Sequence, residues 1–197
     1  MTRPIYYKVL PGLTGYAEAL ALQQARVASR AATTQGEDLI YFLEHAPVYT
    51  GGRRMQQDAT ALEATKKGFA KLGAEYHHVQ RGGQITFHGP GQLVAYPILH
   101  LREHMQAARH TGSQHALPLA GVRDYVTQLE QVMIQTCAHF GVQAGTTEDT
   151  GVWVNGQNKI GAIGTHILSL SQAFTWHSKG TQKASKSPVA SRCTALR

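Results

Sequence analysis

The sequence feature that most constrains the fold is the dipeptide Asn155-Gly156, which stands between two β-prone runs. GVWV precedes it and KIGAIGTHI follows it. The central positions of a tight hairpin turn need positive φ, which asparagine and glycine adopt at low cost. The pattern therefore predicts an antiparallel hairpin, and Lys159 enters its second strand among small residues.

A second hairpin is predicted around the turn His88-Gly89-Pro90-Gly91, because QITF and QLVAYPIL are β-prone runs on either side of it. Glycines at 82 and 83 permit a backbone to approach a ligand closely. His88 can exchange a proton near neutral pH. We interpret residues 81–88 as a candidate binding segment. In the alternative interpretation the glycines serve only turns and His88 is an ordinary loop residue.

Hydrophobic periodicity predicts three helices, over 16–30, 58–72 and 122–140. LIYFLEH and AEYHHVQ are of strand length. Helices and hairpins alternate without a βαβ rhythm, which predicts an α+β fold around a mostly antiparallel or mixed sheet. We assign residues 1–177 to one compact domain.

The net charge of +7 is concentrated in the last twenty residues, since five of the seven excess positive charges follow His177. A basic tail, rather than a basic domain face, is therefore indicated, and we expect no nucleic-acid partner. Residues 178–197 contain no aromatic residue and no isoleucine. Such a segment buries too little apolar surface to offset its ordering entropy, so we predict that it is irregular.

Other features narrow the functional class. No run of 18 or more apolar residues is present, so no membrane association is expected. Two cysteines, Cys137 and Cys193, are too few for a disulfide framework and indicate a reducing compartment. His100 to His104 form the HxxEH pattern of one class of zinc peptidase. In a chain with 11 histidines we interpret this pattern as chance and expect no metal, with a metallopeptidase as a remote alternative.

Three blocks, taken in order, carry a resemblance to a known family. LEHAPVYTGGR, RGGQITFHGPGQLVAYPIL and GVWVNGQNKIGAIGTHI resemble the signature blocks of the lipoate-protein octanoyltransferases, and VRDYVTQLEQVMIQT resembles that family's long helix. The resemblance covers roughly residues 7–177. It implies the fold of the biotin/lipoate ligase catalytic domain.

The resemblance also implies an activity. Members of this family move an octanoyl or lipoyl group from acyl carrier protein to a lysine of a lipoyl domain, through a cysteine thioester and without a cofactor. The implied partners are octanoyl-acyl carrier protein, the lipoyl domains of 2-oxoacid dehydrogenases and the glycine cleavage carrier protein. The family works in mitochondria or in bacterial cytoplasm, and we expect a mitochondrial location.

Site residues follow from the same resemblance. Lys159 matches the family's active-site lysine, which assists the nucleophile, and Cys193 is the candidate nucleophile. The implied acyl-binding residues are Arg81, Gly82, Gly83, Gln84, Ile85, Thr86, Phe87, His88, Ala162, Ile163, Gly164 and His177. We predict that the Lys159 amine points into a groove shared with 81–88 rather than into solvent.

The sequence departs from the family after His177. The family's nucleophile lies in a Pro-Cys-Gly motif, whereas Cys193 stands in Ser-Arg-Cys-Thr. The abrupt change at Ser178 is typical of a frameshifted or mis-spliced C terminus. On this basis we expect little or no transferase activity, with an acyl- or lipoyl-domain-binding pseudoenzyme as the alternative. We also expect an uncovered apolar strip on the sheet, and hence aggregation.

Overall fold

The computed structural model describes residues 4–31, 36–52, 59–79, 85–101, 104, 121–164 and 194–196. Three helices and nine strands lie within these ranges. In chain order they are β1 (Ile5–Thr14), α1 (Tyr16–Ala31), β2 (Asp38–His45), β3 (Val48–Gly51), α2 (Ala59–Ala70), β4 (Glu75–His78), β5 (Thr86–His88), β6 (Val94–Ile98), α3 (Val122–His139), β7 (Val152–Val154), β8 (Asn158–Ile163) and β9 (Thr194–Leu196). None of these helices is long and apolar enough to cross a membrane.

The strands form two sheets. The larger sheet has the order β1-β2-β6-β9-β8-β7, in which β1 and β2 are parallel and the other neighbours are antiparallel. The smaller sheet has the order β4-β3-β5, with β3 parallel to β4 and antiparallel to β5. The predicted α+β class with a mixed sheet is confirmed.

Each parallel pair encloses a helix in the chain. α1 connects β1 to β2, and α2 connects β3 to β4. Parallel neighbours need such a crossover because a tight turn can only return the chain antiparallel. The prediction that the chain has no βαβ units is therefore wrong at these two places, and the first of them depends on a strand, β1, that hydrophobic periodicity did not predict.

Helices cover both faces of the large sheet. Ala19 and Val27 of α1 pack with a buried cluster on one face, to which Tyr41, Leu43, Val94, Tyr96 and Ile98 belong. On the other face Tyr125 and Leu129 of α3 pack with Ile40, Leu99 and Leu101. Side chains alternate between the faces of a strand, so Tyr41 and Ile40 of β2 reach opposite cores. β2 and β6 are thus the centre of the fold.

The predicted hairpin around His88–Gly91 is wrong, although the turn itself is present. The Gln92 N–H donates to the Gly89 carbonyl at 3.1 Å, and Gly91 has φ of +80°. The strands that leave this turn do not pair with each other, because β5 joins β3 and β6 joins β2. β2 and β3 are separated only by Ala46 and Pro47. Two short connections therefore link the sheets, one from β2 to β3 and one from β5 to β6.

The hairpin predicted from Asn155-Gly156 is confirmed. β7 and β8 are antiparallel, and φ is +53° at Asn155 and +66° at Gly156. The helix predicted over 122–140 is also confirmed, since α3 ends at His139.

The prediction that the tail is irregular throughout is wrong at Thr194–Leu196. This segment forms β9, which pairs with β6 at Val94 and Ala95 and with β8 at Gly161, Ala162 and Ile163. Its backbone hydrogen bonds to two strands supply the stabilisation that the aliphatic content of the tail could not. Residues 178–193 and 197 lie outside the described part of the chain.

Exposed apolar side chains lie on β1, at the edge of the large sheet remote from β9. Those on this strand are Ile5, Tyr6, Tyr7, Val9 and Leu13. This surface is distinct from the apolar strip expected where the family's strands are missing, and that strip stays a prediction. Association through exposed apolar surface stays a prediction.

A buried carboxylate ties three segments together at the start of β2. Asp38 accepts a 2.6 Å ion pair from Arg30 of α1, a hydrogen bond from the His100 backbone N–H at 3.0 Å, and a 2.5 Å contact from His104. Burial alone raises the pKa of Asp38, but the His104 hydrogen bond and the Arg30 charge outweigh it and lower the pKa below its usual value. The network fixes the end of α1 to the segment that follows β6.

Candidate functional site

A cluster of histidine and tyrosine rings lies where the two sheets meet. The His45 ring is 5.9 Å from the His88 ring and 5.8 Å from the Tyr96 ring. The Tyr16 ring lies 5.7 Å from His45 and 4.7 Å from His77. These five residues come from β2, β5, β6, α1 and β4, so the cluster exists only in the assembled fold. Sequence reasoning selected only His88 among them.

The tautomer of His45 follows from its two partners. Nδ1 lies 2.9 Å from the Thr14 carbonyl oxygen, which can only accept, so Nδ1 carries the proton. Nε2 then accepts from the Tyr96 hydroxyl at 2.8 Å. Burial lowers the pKa of His45, the Thr14 hydrogen bond raises it, and nearby His77 lowers it further, with a lowered pKa as the result. His45 is therefore a neutral imidazole at pH 7.

His88 is held by the turn that follows it. Its Nδ1 lies 2.8 Å from Gln92 Oε1, and both side chains are buried. Glu44 of β2 accepts a hydrogen bond from the Gly91 N–H at 2.8 Å, which fixes the turn to the large sheet. An amide oxygen accepts only, so the His88 Nδ1 is the donor in this contact. The contact fixes the orientation of the ring.

The remaining described residues of the predicted segment divide between the two faces of β5. Thr86 and His88 lie on one face of the strand. The backbone carbonyl of Thr86 accepts a hydrogen bond from the Thr50 hydroxyl at 3.4 Å. Phe87 lies on the opposite face, where its ring is 4.9 Å from Tyr49. Ile85 is exposed. Arg81, Gly82, Gly83, Gln84 and His177 lie outside the described residues.

The second predicted segment, Ala162 to Gly164, is partly buried at the end of β8. Ala162 pairs with Ala195 and Ile163 pairs with Thr194. Thr194 also pairs with Ala95, the neighbour of Tyr96. Cys193 lies outside the described residues, but the residue that follows it is thus bonded into the centre of the large sheet.

Lys159 is exposed at the other end of β8. Its Nζ donates to the Thr150 carbonyl at 2.9 Å and lies 4.4 Å from the centre of the Trp153 ring. The prediction that this amine does not point into solvent is wrong in this structure. The reason is local: Trp153 is the register partner of Lys159, and its ring and the nearby carbonyl attract the ammonium. A groove shared with 81–88 stays a prediction, because residues 81–84 lie outside the described part of the chain. A catalytic role for Lys159 stays a prediction.

The HxxEH pattern has a structural role in this fold. The Nε2 of His104 contacts Asp38 at 2.5 Å, and the His100 N–H donates to the same carboxylate. Among the residues that the structure describes, no three His, Cys, Asp or Glu side chains converge on a common point as metal ligands do. Glu103, the central residue of the pattern, lies outside them. The geometry thus assigns His104 to a buried ion-pair network.

The fold and these motifs define a class of protein. The family model described as lipoyl protein ligase A/B catalytic domain matches residues 15–178, and the chain belongs to this family. The match includes the ring cluster, α3 and both predicted binding segments.

Curated relatives narrow the similarity to octanoyltransferases. An octanoyltransferase of Desulfotalea psychrophila is 40% identical over 158 residues, which cover 79% of this chain and 64% of the relative. The octanoyl-[acyl-carrier-protein]:protein N-octanoyltransferase LIPT2, mitochondrial, of Danio rerio is 41% identical over 156 residues, 79% of this chain and 62% of the relative. An octanoyltransferase of Rubrobacter xylanophilus is 43% identical over 166 residues, which cover 81% of this chain and 64% of the relative. The chain therefore spans less than two thirds of the length of these relatives.

Solved structures confirm the expected fold. Protein Ta0514 of T. acidophilum, solved with bound lipoic acid, has a TM-score of 0.52 at 14% identity, over 100% of this chain and 68% of that one. Lipoate-protein ligase A bound with ATP has a TM-score of 0.51 at 12% identity, and the match covers 98% of this chain and 66% of that one. At such identities the likeness establishes the fold alone, which is that of a lipoate ligase catalytic domain.

Proposed function

We propose that this protein transfers an octanoyl or lipoyl group from acyl carrier protein to a lysine of a lipoyl domain. Family membership supports the proposal, as do relatives at 40–43% identity that are named octanoyltransferases. The proposed nucleophile is Cys193, and the proposed proton-transfer residue is Lys159. The lipoyl domains of 2-oxoacid dehydrogenases and the glycine cleavage carrier protein are the proposed acceptors.

One observation carries the proposal of an active enzyme rather than a binding protein. β9 lies between β6 and β8, so Thr194 is paired with Ala95, the neighbour of Tyr96, and with Ile163, at the end of β8 that carries the proposed acyl-binding residues. The expectation of inactivity assumed a cysteine on a free tail, remote from any partner. A thiol next to an ordered central strand can gain rate from proximity, which a thiol on a free tail cannot.

The proposed chemistry has two acyl transfers. In the first, Lys159 as a neutral amine, released from Thr150 and Trp153, accepts the proton of the Cys193 thiol. The thiolate attacks the carbonyl of the carrier's thioester, and the carrier thiolate leaves and takes the proton back from Lys159. In the second, the amine of the acceptor lysine attacks the Cys193 thioester, an amide forms, and the Cys193 thiol is regenerated. No oxidant, reductant or nucleotide is consumed. A nearby base activates a cysteine by increasing its thiolate fraction.

The ring cluster fits the substrate side of this chemistry. His45 and His88 both have Nδ1 protonated and held by fixed acceptors, so each is oriented before substrate binds. We propose that His88, Thr86 and the segment from Ala162 to Gly164 line the acyl site together with residues 81–85 and His177. The absence of a side chain at the buried Gly161 and the partly buried Gly164 supports room for an alkyl chain.

Intact-mass analysis tests the proposal. The protein is incubated with octanoyl-acyl carrier protein, and a mass increase of one octanoyl group that is lost in Cys193→Ser is expected. Addition of a lipoyl domain should discharge this adduct and acylate the domain. Cys137→Ser is the matched control, because this second cysteine is buried in α3 and should not affect labelling.

Absence of the Cys193 adduct, with octanoyl-acyl carrier protein or a lipoyl domain still bound, would replace the proposal with the acyl- or lipoyl-domain-binding alternative. A further outcome, an adduct retained in Cys193→Ser, would remove Cys193 as the nucleophile.

Two accompanying proposals concern organisation and location. We infer that residues 1–177 form the catalytic domain and that 178–197 is an added segment, which the end of the family match at 178 supports. This segment contributes one strand, β9, to the large sheet of the domain. This chain is similar both to relatives whose names include 'mitochondrial' and to relatives from bacteria. We propose a mitochondrial location, which fractionation of cells that produce the protein would test.

A further inference from the structure

Lys159 is docked against a turn that precedes β7. Its Nζ donates to the Thr150 carbonyl at 2.9 Å, and a Cβ placed on Gly151 would lie 3.3 Å from the lysine Cε and 3.5 Å from its Cδ. The alkyl part of the lysine therefore runs along Gly151 while its charge lies on Thr150 and over the Trp153 ring. The position of the 150–151 backbone thus decides where the ammonium lies.

The conformation of this turn is one that other residues rarely adopt. Gly151 has φ of +127°, and a Cβ at this position would come within 2.5 Å of the Gly161 carbonyl oxygen on β8. Only glycine fits both the dihedral angle and the space. A backbone held in such a sparsely populated conformation needs strong local contacts to persist.

A buried carboxylate on α3 provides one such contact. Glu130 accepts a hydrogen bond from the Gly151 N–H at 2.9 Å. Glu130 is one of few buried charged side chains among the described residues, and it lies on the face of α3 that also buries Met133. Helices rarely bury a glutamate unless its carboxylate has a specific partner. The partner in this case is the backbone that carries Thr150.

The β7–β8 pairing shows a second local adaptation. Trp153 pairs with Lys159 but Val152 pairs with Gly161, so β8 holds an extra residue, Ile160, at this point. Bulges of this kind change the direction of a neighbouring side chain and recur beside functional sites. The Trp153 ring is fixed in turn, because its Nε1 donates to the Asp149 carbonyl at 3.1 Å.

We infer that Glu130 is a positioning residue for Lys159. It holds the Gly151 N–H, this bond fixes the Thr150 carbonyl, and the carbonyl keeps the Lys159 ammonium docked over Trp153. Only the catalytic consequence of this inference rests on the proposed function. In that reaction Glu130 would set how readily the Lys159 amine leaves this position to reach the nucleophile. The contacts themselves do not depend on that function.

Competitive acetylation of lysines with mass mapping tests the inference without any transferase activity. A limiting amount of acetic anhydride is added, and acetylation of Lys159 is measured relative to Lys66, an exposed lysine of α2. Glu130→Ala should raise acetylation of Lys159 about threefold to tenfold, the change expected from loss of one hydrogen bond in the chain of contacts. Glu130→Gln keeps an acceptor oxygen and should stay within about twofold of the wild type.

Matched variants make each outcome decisive. Gln131→Ala changes the exposed neighbour of Glu130 and should leave Lys159 unchanged. Glu130→Asp keeps the charge but withdraws the oxygen from the Gly151 N–H, so Lys159 acetylation should rise as in Glu130→Ala. If the alanine variant does not fold, the aspartate variant provides the test. Equal increases in Glu130→Gln and Glu130→Ala, or no increase in either Glu130→Ala or Glu130→Asp, would overturn the inference.

The transfer reaction gives a separate readout. If the Cys193 adduct forms, Glu130→Ala should change the rate of its formation at saturating octanoyl-acyl carrier protein while the KM for the carrier stays the same, and Glu130→Gln should restore the rate. Failure of the adduct to form in the wild type would count against the proposed function alone. Failure of the acetylation pattern would count against Glu130 alone.

Discussion

The two ends of β2 bury polar side chains in opposite ways. Asp38 at the start and His45 at the end are both 0% exposed. Asp38 keeps its charge and is paired with Arg30 and His104. His45 is neutral and is held between a carbonyl and a hydroxyl.

This difference separates a structural site from a functional one. A buried charge with a full set of partners makes its surroundings rigid, and loss of one partner leaves an uncompensated charge. A neutral imidazole costs less to bury and remains able to exchange hydrogen bonds with a ligand. The end of β2 that meets His88 is the end with the buried neutral imidazole, so the candidate site lies beside His45 and not beside the buried Asp38 carboxylate.

The largest expected effect is at the charged end. Asp38→Ala leaves the Arg30 guanidinium, whose side chain is 6% exposed, without its carboxylate and should destabilise the protein by about 3–5 kcal/mol. Urea unfolding at neutral pH measures this. The control is Glu37→Ala, which removes an adjacent carboxylate that is 62% exposed and pairs with Arg26 at 3.5 Å, and which should cost below about 1 kcal/mol. Equal losses in the two variants would contradict the assignment of Asp38 as a buried network centre.

A smaller loss is expected at the neutral end. His45→Leu leaves the Thr14 carbonyl and the Tyr96 hydroxyl without their imidazole partner, which should cost about 1–3 kcal/mol. The same urea titration applies. A cost as large as that of Asp38→Ala would mean that His45 is buried as a charge, contrary to its tautomer.

Tyr96→Phe should have a smaller effect still, about 1 kcal/mol, because it removes one hydrogen bond and leaves His45 Nε2 unpaired. A double-mutant cycle with His45→Leu isolates the pair, and its coupling energy should be clearly favourable. Additive losses would show that the 2.8 Å contact contributes nothing to stability.

The pH dependence distinguishes the two ends by sign and window. The pKa of His45 is lowered in the folded chain, so the unfolded chain binds this proton first, and stability from His45 is full above pH 6.5 and is lost as the pH falls below it. The pKa of Asp38 is also lowered, so its contribution is full above pH 3.8 and is lost only below that value. Between pH 6.5 and 5 the slope from one histidine cannot exceed about 1.4 kcal/mol per pH unit. His45→Leu should therefore flatten the urea stability profile in this window, and an unchanged slope there would contradict the lowered pKa.

The sequence predicted those parts of the fold that local signals determine. Asn155-Gly156 dictates its own backbone angles and hence its hairpin. The turn after His88 also formed as predicted, but no local signal indicates that β5 and β6 separate into two sheets, because strand partners are chosen by the whole fold. β9 was missed for the same reason, since its stability comes from two neighbouring strands.

The site was predicted only in part. His88 was found from its glycine-rich turn, whereas His45 and Tyr96 were not selected. A signal for His45 was available: it continues the alternation of Leu39, Tyr41 and Leu43, which places it on the buried face of β2. Glu130 and Gly151 gave no such signal, because their contact joins a helix to a turn twenty-one positions later.

The position of β9 also has a consequence for how the protein reaches its native state. β6 pairs with β9 across about a hundred residues of chain, whereas β7 and β8 meet within a few. Contacts between distant residues form slowly, because the entropy of closing the loop must be lost before the contact is gained. Until β9 arrives, one edge of β6 and one edge of β8 are open to strands of other molecules. Refolding from denaturant should therefore be slow and should lose yield as the protein concentration rises, and a chaperone that sequesters open strand edges should restore the yield.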